Sequence, residues 1–285
     1  MSLTPVQTPI IPRLKKEKIV SLIKTGKRID GRRLDEYRPI TIQLNPIQKA
    51  EGSAAVKIGD TMAMVGVKLE VGIPYSDRPN EGVLQVHAEF VPLASPTFEP
   101  GPPDENAIET ARVIDRSLRE PRAIRLEDLA IIPGQKVWIV FNDIYLLDHG
   151  GNIIDASMLA SMLALNVTKM PKIVSIEGDK VVIDKDSREQ KLPLNLNVVT
   201  VTIGKVDKYF IVDPNLEEES VLDAKITVAV DSLGRIVGLQ KMGMEGFTED
   251  EVGYVIELAL KKAKELHSLL EKVLKNPEEA SKSIV

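Results

Sequence analysis

Cysteine is absent from the 285 residues, so the chain has no disulfide framework, no thiolate zinc site and no cysteine nucleophile. Histidine is scarce: His87, His149 and His267 are far apart in sequence and form no His-cluster metal motif. No metal or cofactor is expected. No apolar run is long enough to cross a bilayer as a helix, and the first residues do not carry a signal-peptide pattern. The expectation is therefore a cytoplasmic protein with no membrane contact. An excess of positive charge is lacking too. The 37 Lys and Arg against 42 Asp and Glu give a net charge of −5. That argues against a free-standing, non-specific nucleic-acid binder, and leaves room for a small basic site or one shared with a partner. High charge without cysteine also suits a thermophile.

What is present is a hydrophobic share of 43% and a charged share of 28%, those of a globular protein able to bury a full core in two domains or two lobes. The pattern divides the chain into an arm and helix (1–36), a first lobe (37–169), a connecting segment (170–197), a second lobe (198–275) and a tail (276–285). Pro5, Pro9 and Pro12 mark an extended arm, and Arg13–Thr25 reads as a short amphipathic helix stopped by Gly26. Strands are expected at Ile40–Leu44, Ser53–Ile58, Met62–Leu69 and Val83–Phe90. After a proline-rich loop, Asp104 or Asn106 caps a helix running to about Leu118, with Ile108, Ala111, Ile114 and Leu118 as its buried stripe. Lys136–Leu147 is a long strand that runs into a glycine turn and an apolar helix. Short strands about an acidic Glu177-Gly178-Asp179 turn fill the connecting segment. The second lobe offers strands at Val198–Val206, Tyr209–Val212, Lys225–Val230 and Ile236–Lys241, then a long helix opened by a Thr248/Glu251 capping box. The similarity of 56–60 (VKIGD) to 201–205 (VTIGK) suggests a duplicated α+β unit.

Four features could carry chemistry. In the strand–turn–helix at 146–165, Gly150, Gly151 and Asn152 stand where free helix N–H groups favour an anion. No Lys or Arg lies nearby in sequence, Asp148 and Asp155 are negative, and an ordinary turn is the plain alternative. Arg112, Arg116 and Arg119 form one stripe of a helix, suited to gripping phosphates. Pairing of Arg112 with Glu109 or Asp115, and of Arg119 with Asp115, is the plain alternative. Asp207 and Asp213, followed by Glu217–Glu219, could hold a metal or act as a general acid, or be surface carboxylates; six residues of straight strand would hold them roughly 20 Å apart. The basic segment with Arg28, Arg32, Arg33 and Arg38 could touch RNA or a partner's acidic surface; interleaved with Asp30, Asp35 and Glu36, it reads more readily as a salt-bridged structural segment.

Taken in order, the segment 28–32 (RIDGR), then Gly52-Ser53-Ala54 and Gly59-Asp60-Thr61, then Gly150-Gly151 before a small-residue helix, then Val206-Asp207 and Val212-Asp213, resemble the RNase PH family over nearly the whole chain. Within it, 99–107 (EPGPPDENA) and 111–118 (ARVIDRSL) are most similar to the non-catalytic RNase PH-like subunits of archaeal exosome cores. The resemblance implies an α+β fold of duplicated βαβα-like halves, the ribosomal protein S5 domain 2-like arrangement. It also implies a ring that alternates with a catalytic RNase PH-like partner, RNA-binding cap subunits, and 3′→5′ phosphorolysis of RNA. Active relatives place a hydroxyl residue and an arginine after the two glycines, where this chain has Asn152 and Ile153. They place an arginine-rich run ahead of the helix, where this chain has Pro102-Pro103-Asp104-Glu105. The resemblance therefore implies no catalytic residue in this chain, a degenerate phosphate loop at Gly150, Gly151 and Asn152, and a vestigial acidic pair at Asp207 and Asp213. It further implies RNA contact by Arg112 and Arg116 beside the neighbouring active subunit. The alternative is that the chain is itself an active phosphorolytic exoribonuclease.

Overall fold

The computed structural model describes residues 13–276; the arm with Pro5, Pro9 and Pro12 and the residues after Asn276 lie outside the described residues. The chain opens with helix α1 (Arg13–Lys24), closed by Gly26 at φ +77°, and then forms β1 (Ile40–Leu44), β2 (Gly52–Ile58), β3 (Thr61–Gly72) and β4 (Val83–Phe90). Helix α2 (Glu105–Arg119), a short 3₁₀ turn at Leu126–Leu129, β5 (Ala130–Ile132), β6 (Lys136–Asp148) and helix α3 (Ile153–Val167) complete the first lobe. A hairpin of β7 (Lys169–Glu177) and β8 (Lys180–Lys191) follows. The second lobe is β9 (Val198–Val206), β10 (Tyr209–Val212), the single turn α4 (Leu216–Glu219), β11 (Ala224–Asp231), β12 (Ile236–Gly243) and the long helix α5 (Glu249–Lys275).

The first sheet runs β1-β2-β3-β6-β4, with β5 on β6; β4 and β6 are parallel and the other pairs antiparallel. The second runs β10-β9-β11-β12, all antiparallel. Alternation explains the faces: Trp138, Val140, Ile144 and Leu146 of β6 are buried on one side, with Phe141 and Tyr145 towards the other. Helix α3 is apolar on every side, and Ile154 to Leu165 are buried without a break. A helix of that kind is stable only when enclosed. It packs on β2 and β3 with one side and on β9 with the other, so a single helix supplies core to both lobes. Its alanines and serines keep the layers close. Helix α5 lays Val255, Ala259, Ala263, Leu266, Leu270 and Val273 against β9 and β11 from the Thr248/Glu251 capping box onward.

Three expectations need correction. The buried stripe of α2 is Ala107, Thr110, Ile114, Ser117 and Leu118, whereas Ile108 is 49% exposed. Small and hydroxylic residues face inward because the helix lies close to β4 and β12, and Ser117 satisfies its hydroxyl by donating to the Val113 carbonyl at 2.7 Å. The similarity of 56–60 to 201–205 does not mark equivalent positions: Gly59 forms a hairpin turn at φ +55°, whereas Gly204 sits inside β9, whose turn comes later at Asp207 and Lys208. The connecting segment holds one long hairpin rather than short strands: β7 and β8 stay paired from Glu177 and Lys180 to Lys169 and Lys191, through register shifts that absorb Pro171.

Candidate functional site

Where β6 meets α3, Asn152 takes the left-handed conformation (φ 52°, ψ 51°) and its side chain does not cap the helix. The N–H groups of the three turn residues each find an acceptor within the chain. Gly150 donates to Thr61 Oγ1 at 3.1 Å, Gly151 to His149 Nδ1 at 3.4 Å, and Asn152 to Glu219 Oε1 at 3.3 Å. The glycines serve a close approach of backbone. A Cβ on Gly151 would lie 2.4 Å from the Leu216 nitrogen and 2.5 Å from the Asn215 carbonyl carbon, and the Leu216 N–H donates to the Gly150 carbonyl at 2.8 Å. The turn is thus the seat on which the start of α4 docks, and α4 brings Glu219 to it.

Although no cation is near in sequence, the fold supplies one. Arg38, just ahead of β1, donates to the Gly150 carbonyl at 2.7 Å and to the Gly151 carbonyl at 3.1 Å. It is fully committed elsewhere: its Nε and backbone N–H both reach Asp213 Oδ2 at 2.9 Å, and its Nη2 reaches Oδ1 at 2.7 Å. Arg32 adds a contact to Asp213 Oδ2 at 3.1 Å, and Asn152 Nδ2 donates to Oδ1 at 2.7 Å. Burial alone would raise the Asp213 carboxyl, but the Arg38 contacts and the Asn152 amide hold it below the ordinary carboxylate range. Beside this cluster, Arg28 and Glu218 form an ion pair with neither side chain exposed.

Asp155 turns away from the turn. It accepts from Tyr37 Oη, Asn152 Nδ2, Thr202 N and Thr202 Oγ1, each at 2.9 Å. Burial pushes its pKa up to about 6 despite those donors. Burial also pushes the Tyr37 phenol well up, helped by the Asp155 charge. Lys225 joins from β11, donating to Glu219 Oε1 at 2.7 Å; burial would lower its pKa, but that carboxylate holds it above the ordinary lysine value.

The two aspartates singled out by sequence do not come together. Asp213, with no exposed side-chain surface, is the hub just described and not a surface carboxylate. Asp207 lies at the opposite end of β10, in the hairpin turn at φ 56°, with its side chain 60% exposed and 3.3 Å from Lys24. The four residues of β10 hold the two apart. Among the described residues, no group of three His, Cys, Asp or Glu side chains is placed to hold a metal.

Helix α2 presents the open part of the surface. Arg119 pairs with Asp115, and Glu109 accepts from Gln240 Nε2 at 3.0 Å. Arg112 and Arg116 are exposed and, among the described residues, make no hydrogen bond or ion pair. They line a groove of about 430 Å³ between α2 and strands β11 and β12, with Leu239 on its far wall. The cavity at the glycine turn, about 250 Å³, shares Glu109 with that groove and holds His149, Asn152, Glu219 and Lys225. Phe98 stacks on His149 at 5.4 Å between ring centres. Sequence reading named Thr61 within a motif but missed its contact with the turn, and it missed Lys225 and the pairings of Arg38 and Glu219. The one local signal for this cluster was the Asn215/Glu218 capping box that starts α4.

Two family models match in order: the 3′ exoribonuclease family (RNase PH) domain 1 over residues 36–171, and domain 2 over residues 197–262. The chain belongs to the RNase PH family. Among curated RNase PH relatives, an "Exosome complex component Rrp42" of Aeropyrum pernix is 50% identical over 96% of this chain and 100% of its own length. One of Sulfurisphaera tokodaii is 51% identical over 95% and 98%. A solved structure described as the Archaeoglobus fulgidus exosome with RNA bound to the active site superposes with a TM-score of 0.82 at 44% identity, covering 90% of this chain and 97% of that one. A rice Rrp46 structure, at 18% identity and a TM-score of 0.66, shares the RNase PH fold.

Two outcomes follow from this geometry. Arg38→Met leaves Asp213 buried without its main partner and is expected to cost about 3–5 kcal/mol in urea unfolding; a loss under 1 kcal/mol would contradict the hub. For Asp155, the folded value of about 6 exceeds the ordinary 3.8, so the native state binds the proton more tightly between them. Its contribution to stability is greatest below pH 3.8 and falls as pH rises towards 6. Asp155→Asn removes that slope, so the melting temperature of the variant relative to the natural chain should climb between about pH 4 and pH 6. A flat difference would refute the assignment.

Proposed function

We propose that this chain is a non-catalytic, RNA-binding subunit of an archaeal exosome ring that degrades RNA from the 3′ end by phosphorolysis. It alternates with a catalytic RNase PH-like partner, beneath RNA-binding cap subunits, and acts in the cytoplasm. The names of the relatives support exosome membership. The observation that carries the non-catalytic reading is the turn at Gly150, Gly151 and Asn152, whose N–H groups are all taken by the chain's own acceptors. Phosphorolysis needs an attacking phosphate held against a polyanion, hence donors and uncompensated positive charge at one point. Here Arg38 is neutralised by Asp213 and Lys225 by Glu219. The turn is thus a degenerate phosphate loop. Of the vestigial acidic pair, Asp213 keeps a structural role and Asp207 lies apart.

Positive charge without a carboxylate partner among the described residues lines the neighbouring groove at Arg112 and Arg116. Their guanidinium groups are exposed on a groove beside α2 and offer forked donors to a phosphodiester backbone. In this reading the groove faces the catalytic partner, and the two arginines hold RNA entering that subunit's site. A chain of net charge −5 serves this purpose because the assembly, rather than the monomer, makes the basic surface.

The purified chain, given single-stranded RNA and phosphate, should release no nucleoside diphosphate, while its mixture with the catalytic partner should. Robust release by the chain alone would establish the alternative, an active phosphorolytic exoribonuclease. In the assembled ring, replacing Arg112 and Arg116 together by Ala is expected to weaken RNA binding on the order of tenfold or more. The slope of log affinity against log salt should become shallower by about 0.7 for each phosphate that the variant no longer neutralises. Unchanged binding by an intact ring would make the chain a pure scaffold.

A further inference from the structure

Glu219 ends α4, whose first turn is fixed by the Asn215/Glu218 capping box and by docking on Gly150 and Gly151. One oxygen of its carboxylate, Oε1, accepts from a backbone N–H at the helix start (Asn152, 3.3 Å) and from an ammonium group (Lys225 Nζ, 2.7 Å). A backbone amide together with a lysine is a donor set that binds oxyanions. The carboxylate lines the 250 Å³ cavity along with His149 and Asn152. The other acid on that wall, Glu109, is turned to Gln240, and Asp155 is spent on Thr202, Tyr37 and Asn152.

We infer that Glu219 is a tethered counter-ion: its carboxylate sits where a free phosphate would otherwise bind between the Asn152 N–H and Lys225, and so excludes phosphate from the turn. The missing hydroxyl and arginine then account for only part of the silence of this site. The remainder is active exclusion, because an anion approaching the turn must displace a carboxylate already held by a lysine and delivered at high effective concentration by α4. The same contact keeps Lys225 from standing as an unpaired, largely enclosed cation. The inference rests on the reading above that the natural chain's turn is silent towards free phosphate.

Chemical rescue tests it. The full-length chain, its Glu219→Ala variant and the Glu219→Ala/Lys225→Met double variant are melted in sodium phosphate and in sodium chloride at matched ionic strength and pH. The natural chain should show no phosphate-specific shift. Glu219→Ala should melt lower than the natural chain in chloride and regain about 3 °C in saturating phosphate. The double variant should lose that gain. Where the alanine variant does not fold, Glu219→Gln, which keeps the shape without the charge, is expected to show a smaller phosphate-specific rise. Folded Glu219 variants without such a rise would overturn the inference while leaving the proposed function intact. Failure of both variants to fold in either salt would also overturn it, since Glu219 would then be a structural requirement and not a replaceable anion. A phosphate-specific shift in the natural chain would overturn the reading of the turn itself.

Discussion

The pairing of Arg38 with Asp213 holds the functional region together. One guanidinium group, 7% exposed, ties the segment before β1, the carbonyls of the glycine turn and the end of β10 into a single cluster. A buried pair of this kind is weak evidence of net stability, because desolvation opposes the attraction. Its value here is geometric. It joins the second lobe to the first beside the turn, and Asn152 and Arg32 are placed by the same carboxylate.

In the proposed reading, the same cluster fills a turn that favours anions with the chain's own groups. A helix start next to two glycines presents donors, and buried donors must be paired. This chain pairs them internally with a hydroxyl, an imidazole and a carboxylate. The three turn residues are thereby paired, while the cations beside them, Arg38 and Lys225, are bound to aspartate and glutamate. By contrast, Arg112 and Arg116 of α2 have no such partners among the described residues. Positive charge has been retained on the outside of the chain and neutralised on the inside.

Much of this was legible in the residues. Alternation in β1 and β4, the turn signals around β2 and β3, and the apolar character of 153–165 placed these elements within a few residues. The order of short motifs gave the family. The pairings were not legible, because they are long-range: Arg38 and Asp213 are 175 positions apart, and Arg28 and Glu218 are 190 apart. Nothing in a local pattern says which carboxylate an arginine will meet. Asp213 illustrates the limit. By composition it resembled Asp207, its neighbour along the strand, yet a four-residue strand carries one to solvent and the other into the core. The stripe of α2 misled for a different reason: a close approach to a sheet selects small residues, which a reading by hydrophobicity passes over.

The apolar helix α3 has a consequence for how this chain comes into being. Its far side is covered by β9, which is synthesised only after the whole β7–β8 hairpin has emerged. On the ribosome, a first lobe that has closed its own sheet still presents a bare, oily helix surface for a time on the order of seconds. The two halves, though matched by separate family models, are therefore not separable bodies. The birth of the first half leaves an exposed seam that only the second half can seal, and the molecule passes through a sticky adolescence before it reaches any partner.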